Sequence, residues 1–323
     1  MEIATIVYKQ YLAHSRGIRK RIWFYVREAL IKLLNDPICS LPIHGRSLKL
    51  PLSHLLPDFL RLHPFYDQLP KRISEFIHQK QGHLSCIDVG ANIGDTIAAF
   101  YKKDTDTFLA IEPNPKFNKL LAENWGWNKN IIVVSDICSS GSSESTFSIQ
   151  EKEGTASVLQ TENGLKMRRR SLDEIVNDHS SMANTNVLKI DTDGHDFEVI
   201  AGANRLLSQN LPAVLFECQP FENTTNYVED CLGALNSFKE MGYNYFLVYD
   251  NFGHLMGRYS LSDLSSFKNL LFFQLTRHFL YQFDVLVMKD EDVFQFYQEE
   301  IVYFADKIPY KSLRRTANVA AAL

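Results

Sequence analysis

The sequence predicts an α/β fold: a doubly wound, mostly parallel sheet with helices on both faces. Three observations predict it. Short apolar runs of strand length (86–89, 107–111, 131–134, 187–190 and 213–216) alternate with amphipathic stretches, the rhythm of strands buried on both faces and joined by crossover helices. Acids stand at or just after the ends of these runs: Asp88, Glu112, Asp136, Asp191 and Glu217. A glycine turn, Asp88-Val-Gly90-Ala-Asn92-Ile-Gly94-Asp95, joins the first run to the first helix. Glycine accepts positive φ and lets a ligand approach the backbone, and the helix behind it is expected to aim free N–H groups at that ligand.

Composition sets the limits. The chain has 323 residues, 45% hydrophobic and 22% charged, enough apolar material for a full core. A net charge of −4 argues against a nucleic-acid partner gripped along the whole surface. Five scattered cysteines (Cys39, Cys86, Cys138, Cys218, Cys231) read as small core residues in a reducing compartment, not as a disulfide or zinc framework. The apolar stretch 3–7 is cut by Lys9 and Gln10, short of a secretory signal core. No apolar run approaches the roughly 20 residues of a transmembrane segment, so the expected setting is cytoplasmic.

In chain order, residues 1–36 read as helix, with Ile18, Ile22, Val26, Ala29 and Leu33 at helical spacing and Asp36-Pro37 as the stop. This stretch carries about +4, leaving −8 for the remainder. Two readings stand: the basic helix touches an anionic membrane or a lipid carrier, or it docks by its apolar stripe with its charges in water. Residues 38–52 read as a hairpin turning at His44-Gly45-Arg46. Pro51, Pro57, Pro64 and Pro70 break any long helix and suggest a folded-over cap carrying His54, His63 and Tyr66. A short helix over 72–81 leads into the glycine-turn strand.

Beyond the glycine turn, helices are expected over 94–101, 115–125 and 197–207, with strands and loops in the polar stretch 139–170. The tail reads as helix 226–241, an aromatic strand 243–249, a turn at Asn251-Phe252-Gly253-His254, helix 260–271, strand 283–288 and helix 293–304. A late hairpin-like strand closing a parallel sheet is common in mixed sheets. The domain reading is therefore a helical and hairpin extension (1–81), a cofactor-binding domain (82–306) and a tail (307–323). Ala320-Ala321-Ala322-Leu323 looks vector-derived.

The chemistry follows from the strand ends. Glu112, closing the second strand, stands where a carboxylate can accept both hydroxyls of a ribose. Asp136 is either an adenine contact or a solvated turn. A dinucleotide fingerprint has glycine at the middle position, making room for a pyrophosphate. Here Asn92 stands there, which suits a nucleoside without pyrophosphate. S-adenosylmethionine is such a ligand, and the ammonium of its amino-acid tail suits Asp88. The cofactor set is Asp88, Gly90, Asn92, Gly94, Glu112 and Asp136.

The ordered set Asp88-Val-Gly-Ala-Asn-Ile-Gly-Asp95, Glu112-Pro113, Ser171-Leu172-Asp173, Leu188-Lys-Ile-Asp-Thr-Asp-Gly-His-Asp196 and Phe216-Glu217 resembles FkbM-type methyltransferases over about residues 84–220. The resemblance implies a class I, Rossmann-like, seven-stranded sheet with an antiparallel last strand. It also implies S-adenosylmethionine as cofactor, and methyl transfer to a hydroxyl on a macrolide or sugar, hence a sugar or glycan acceptor. Asp193 stands where the family often has Glu, a shorter reach for the same charge. Under this reading Asp191, Asp193 and His195 are the catalytic candidates. A hydroxyl needs a base as the new bond forms, and in-line transfer needs the acceptor aligned. His195 has a suitable ordinary pKa or simply faces solvent. Lys189 orients a carboxylate or is a core-edge lysine, and Glu217 is a candidate for the acceptor pocket.

Arg168-Arg169-Arg170 either attracts a phosphate or forms a solvated strand edge. Tyr243, Tyr245, Phe246 and Tyr249 offer a sugar-stacking platform or fill the core. The rival enzyme reading is a nucleotide-sugar glycosyltransferase holding a divalent metal at Asp191-Thr192-Asp193. The nonenzymatic one is a cofactor-binding protein without turnover. No metal is assigned, although a divalent ion at that turn stays open.

Overall fold

In the computed structural model, residues 2–152, 154–161, 164–220, 225–277, 281–310 and 313–314 are described; Ala320 to Leu323 lie outside them. The chain divides into two compact units, residues 1–206 and 207–323. The extension that the sequence sets apart before residue 82 falls in the first unit, together with the glycine turn.

The first unit begins with α1 (Glu2–Ala13) and α2 (Gly17–Leu33), two helices where periodicity suggested one. Gly17 opens α2 at φ +85°, and a left-handed residue interrupts the hydrogen-bond ladder. The stripe expected to dock faces outward instead: Ile18, Ile22 and Leu33 are exposed. The buried residue of α2 is Arg27. Its Nε donates to the Leu52 carbonyl at 2.9 Å, and its guanidinium lies over the rings of Tyr8 and Tyr11. A planar, weakly hydrated cation can be buried this way, stacked on aromatic faces with a carbonyl to bond.

The hairpin is β1 (Ile38–Ile43) and β2 (Arg46–Pro51), with Ile43 opposite Arg46. The two turn residues, His44 and Gly45, both have positive φ, the geometry that matches strand twist in a two-residue hairpin. Next come α3 (Leu56–Leu62) and α4 (Leu69–Gln81), each with proline in its first turn, where the missing N–H costs nothing.

The core of this unit is β3 (Ser85–Val89), α5 (Asp95–Phe100), β4 (Thr107–Ile111), α6 (Pro115–Trp125) and β5 (Ile131–Val134). Asn114 caps α6 by accepting from the Lys116 and Phe117 N–H groups. A second sheet follows: β6 (Ile137–Ser139), β7 (Ser143–Lys152), β8 (Thr155–Gln160) and β9 (Leu165–Ser171), in the order β6-β9-β7-β8. Then come α7 (Leu172–Asp178), β10 (Val187–Ile190), α8 (Asp196–Ala201) and α9 (Asn204–Asn210). The helix expected over 197–207 is thus two. At Gly202 the chain lies so close to the Ser139 carbonyl that a Cβ would sit 2.1 Å from its oxygen. Strands β10, β3, β4 and β5 lie side by side and run parallel, with Ile87, Leu109 and Leu188 fully buried.

The second unit holds β11 (Ala213–Cys218), α10 (Tyr227–Glu240), β12 (Tyr245–Asp250), β13 (Leu255–Ser260), α11 (Ser265–Thr276), β14 (Phe283–Val287) and α12 (Asp290–Lys307). Strand β14 runs antiparallel to both β11 and β12, the reversed last strand of the expectation. Strand β13 was not expected; it pairs with β12 as a hairpin, and the helix read over 260–271 begins only at Ser265. Tyr243, Phe246 and Tyr249 are buried, with Phe246 packed on Tyr259 and Phe267. They fill the core of this unit and offer no platform.

The fold class is α/β, as the apolar runs predicted. All five cysteines are buried free thiols. Among the described residues no helix is long and apolar enough to cross a membrane.

Candidate active site

The glycine turn is shaped by contact with the neighbouring strand end. Gly90 has φ +80°, and a Cβ there would lie 1.7 Å from the Asp191 carbonyl oxygen. Only a residue without a side chain lets β3 and the end of β10 approach so closely. Gly94, at φ +83°, lies against the Trp125 indole, whose Nε1 donates to the Gly94 carbonyl at 2.9 Å. Asn92 is left-handed as well, a conformation its short polar side chain tolerates.

The N–H groups of the turn itself are taken up within the protein. Those of Gly90 and Ala91 donate to the Ile111 carbonyl, and that of Asn92 donates to Glu112 at 2.8 Å. The other Glu112 oxygen accepts the Asn114 N–H at 2.8 Å. The acid of the second strand therefore locks the glycine turn in place. Burial pushes its pKa up to about 7, against the pull of these two N–H groups. Each carboxylate oxygen has lone-pair capacity left for a hydroxyl.

Glu112 opens into a cavity of about 400 Å³, within the usual range of small-ligand sites. The same cavity is lined by Gly90, Asn92, Asp191, Asp193 and His195, so the glycine turn and the reactive-centre turn meet there. Three of the predicted cofactor residues do not line it. Asp88 is wholly buried, with its carboxylate 3.4 Å from Lys189 Nζ. Gly94 packs on Trp125. Asp136 is buried and held by Arg168 through two hydrogen bonds of 2.9 Å, with Arg170 at 3.5 Å. The arginine run is therefore occupied: Arg168 and Arg170 grip Asp136, and Arg169 bonds Glu198 at 2.7 Å.

Lys189 projects from β10 between two acids, 3.0 Å from Asp191 and 3.4 Å from Asp88. Burial works against its charge, but Asp191 and Asp88 hold its pKa well above the usual lysine value. Burial raises Asp88, with the Lys189 ammonium opposing. The turn beyond is set by Asp193 and Gly194, both at positive φ. Asp196 also shapes it, accepting from the Thr192 N–H and hydroxyl. His195 Nδ1 lies 3.6 Å from Glu198, and this imidazole is the first of the causes that lower Glu198 to about 2.

Residues before 82 complete the walls: His54, Leu55, Leu56, Phe59 and Tyr66 line the same cavity. His63 does not, but its ring packs on Phe59. His54 Nδ1 accepts the Leu56 N–H, leaving the proton of the neutral ring on Nε2. Burial lowers its pKa to about 4, so the ring is neutral. The Asn92 side chain hydrogen-bonds the ring and opposes that shift, so His54 and Asn92 brace each other at the cavity wall.

Sequence reasoning passed over Asp95 and Thr96, which line the cavity from the first turn of α5; their position next to Gly94 was the available signal. Burial and the Asp67 carboxylate raise the Asp95 pKa. It also passed over Gly154, whose carbonyl accepts from Asn92 Nδ2 at 2.7 Å; no local pattern announces it. Two quoted motif positions are structural. Ser171 and Glu174 form a capping box on α7, and Asp173 accepts the Arg205 and Leu206 N–H groups. Glu217 lies on β11 in the second unit, where its Oε1 accepts from Gln282.

Among the described residues no group of three or more His, Cys, Asp or Glu is placed to hold a metal, and the Lys189 ammonium occupies the side of Asp191 that a cation would claim. The metal-dependent glycosyltransferase reading draws no support from these contacts.

Residues 88–245 match the family profile of the methyltransferase FkbM domain. No curated protein matches the chain. Among solved structures, an FkbM methyltransferase from Methylobacillus flagellatus is 15% identical, with 60% of this chain and 55% of that chain aligned at a TM-score of 0.37. An S-adenosylmethionine-dependent O-methyltransferase from Thermotoga maritima is 14% identical over 68% of this chain and 65% of that one, TM-score 0.33. The plantazolicin methyltransferase BpumL, in complex with SAH, is 12% identical over 72% and 88%, TM-score 0.33. The chain thus spans little more than half of the first of these, and the assignment rests on the profile match and the ordered motifs. Over residues 88–245, just under half of the chain, this protein is similar to the FkbM methyltransferases.

Proposed function

We propose that this protein transfers a methyl group from S-adenosylmethionine to a hydroxyl of a sugar, on a bacterial glycan or a glycosylated metabolite. The observation that carries the reading is that one cavity holds both Glu112 and the Asp191–Asp193–His195 turn. When bound, the cofactor supplies an electrophilic methyl on a sulfonium. Glu112 accepts the ribose hydroxyls, and Asn92 and His54, which line the same cavity, give the nucleoside or its tail further polar contacts.

The Lys189 ammonium holds one Asp191 oxygen at 3.0 Å, which makes Asp191 a positioning acceptor for the sugar hydroxyl more than a base. His195, backed by Glu198 at 3.6 Å, takes the proton as the new bond forms. Asp193 accepts from a neighbouring sugar hydroxyl. Phe59 and Tyr66, with ring centroids 5.3 Å apart, give the sugar an apolar face to lie against. Five buried free thiols suit the cytoplasm, where thiols stay reduced.

Calorimetric titration with S-adenosylmethionine tests the cofactor, and Asp191→Asn tests the turn. The variant is expected to bind cofactor within about threefold of the parent and to lose about 100-fold in transfer to a sugar acceptor. No heat with S-adenosylmethionine, together with binding of a nucleotide sugar and manganese, would overturn the reading.

A further inference from the structure

The second helix is inside out. At the helical spacing i, i+4, i+7, i+11, i+15, Ile18, Ile22, Tyr25, Ala29 and Leu33 fall on one face, directly opposite Arg27. That face is in water: Ile18 is 77% exposed, Ile22 52%, Tyr25 69% and Leu33 80%. The opposite face is the docked one. Trp23, Leu30 and Ile31 pack against the cluster of Tyr8, Tyr11, Leu41 and Phe117, and Arg27 is bonded to the Leu52 carbonyl. An apolar stripe of four turns left in water marks an interaction surface.

The charges on either side indicate what covers it. On the helical wheel Arg21 and Lys32 border the stripe on one side and Arg19 on the other. All three are exposed and form no ion pair among the described residues. Glu28 is the one acid between residues 14 and 35, and it lies 3.9 Å from Arg27. A second copy docked stripe to stripe would set these cations against their equals. An apolar partner with a negative rim is the complement, and an anionic bilayer has that chemistry: acyl chains for the stripe, phosphates for its borders. The rest of the chain carries −8 against +4 in residues 1–36, so an anionic surface attracts this end and repels the remainder.

We infer that α2 docks the protein on anionic lipid surfaces, its outward stripe lying in the headgroup boundary with Arg19, Arg21 and Lys32 on the phosphates. The inference does not depend on the methyl-transfer reading. Full-length protein is sedimented with vesicles of phosphatidylcholine alone and of phosphatidylcholine with phosphatidylglycerol. Binding is expected only to the second, weakening as salt rises. Ile22→Asp with Tyr25→Asp, and separately Arg19→Glu with Arg21→Glu, should each lower it about tenfold or more. Unchanged far-ultraviolet circular dichroism and an unchanged unfolding midpoint show that both double variants are folded, whatever the cofactor titration gives. No partition into the anionic vesicles overturns the inference, as does partition that the stripe variant leaves intact. So does a dimer broken by the stripe variant in the absence of vesicle binding, which would assign the stripe to a second copy.

Discussion

The glycine turn and α2 lie in one compact unit and were read from the same string of letters, yet the turn keeps the backbone geometry that its residues demand while the stripe expected to dock faces outward. In the turn, backbone geometry makes the demand: Gly90 sits at positive φ with the Asp191 carbonyl where its side chain would be. Such a demand is local and leaves its mark in residue type. In α2 the mark was periodicity, and periodicity states which residues share a face without stating where that face points. The chain turned the arginine side inward because Tyr8, Tyr11 and the Leu52 carbonyl were there to receive it. A conformational requirement can be read from a sequence; the direction of a face depends on its neighbours.

The comparison can be broken in order of effect. Gly90→Ala should be the most damaging change. Its new methyl meets a backbone oxygen at an unfavourable φ, so a loss of about 3 kcal/mol or more is expected in chemical denaturation, along with cofactor binding. Parent-like stability would show that the two strand ends can separate. Arg27→Ala comes next, at about 2 kcal/mol, through lost stacking and a lost hydrogen bond. A neutral result would return α2 to the orientation that periodicity suggested.

Glu112 supplies a pH test of the turn. Its pKa is raised to about 7 in the folded protein, so the folded state keeps a proton that the unfolded chain has already lost. Stability from this group is therefore present at acid pH and falls as pH rises from the ordinary carboxylate value towards 7. Cofactor binding should run the other way, because ribose hydroxyls donate to the carboxylate. Affinity measured calorimetrically should climb about tenfold between pH 6 and pH 8, and Glu112→Gln should flatten the slope. A pH-independent affinity in the parent would remove Glu112 from ribose recognition. The smallest effect is expected of Ile22→Asp, within about 0.5 kcal/mol of parent stability. A large loss there would mean that the stripe is docked after all.

Much of the first unit was legible. The ranges 107–111, 115–125, 131–134 and 187–190 are reproduced residue for residue by β4, α6, β5 and β10, because a buried parallel strand is a continuous apolar run and Asn114-Pro115 is a helix start. Strand β13 was not legible, since Leu255-Met-Gly-Arg-Tyr-Ser260 is half-buried at a sheet edge and has no clean alternation. In the site, the types and order of Gly90, Asn92, Glu112, Asp191, Asp193 and His195 could be read. The occupation of Asp136 by Arg168 could not, because the two lie 32 positions apart and an ion pair across that span has no local signature.

What the sequence determined by itself is the α/β class, the resemblance to FkbM methyltransferases and the strand-end acids, all written in short-range periodicity, turn chemistry and motif order. Only the tertiary structure decided which of those acids face the cavity, that residues before 82 wall it, and that the apolar stripe of α2 looks outward. These depend on contacts between residues far apart in the chain, where packing and charge pairing choose among arrangements that the local pattern leaves equal.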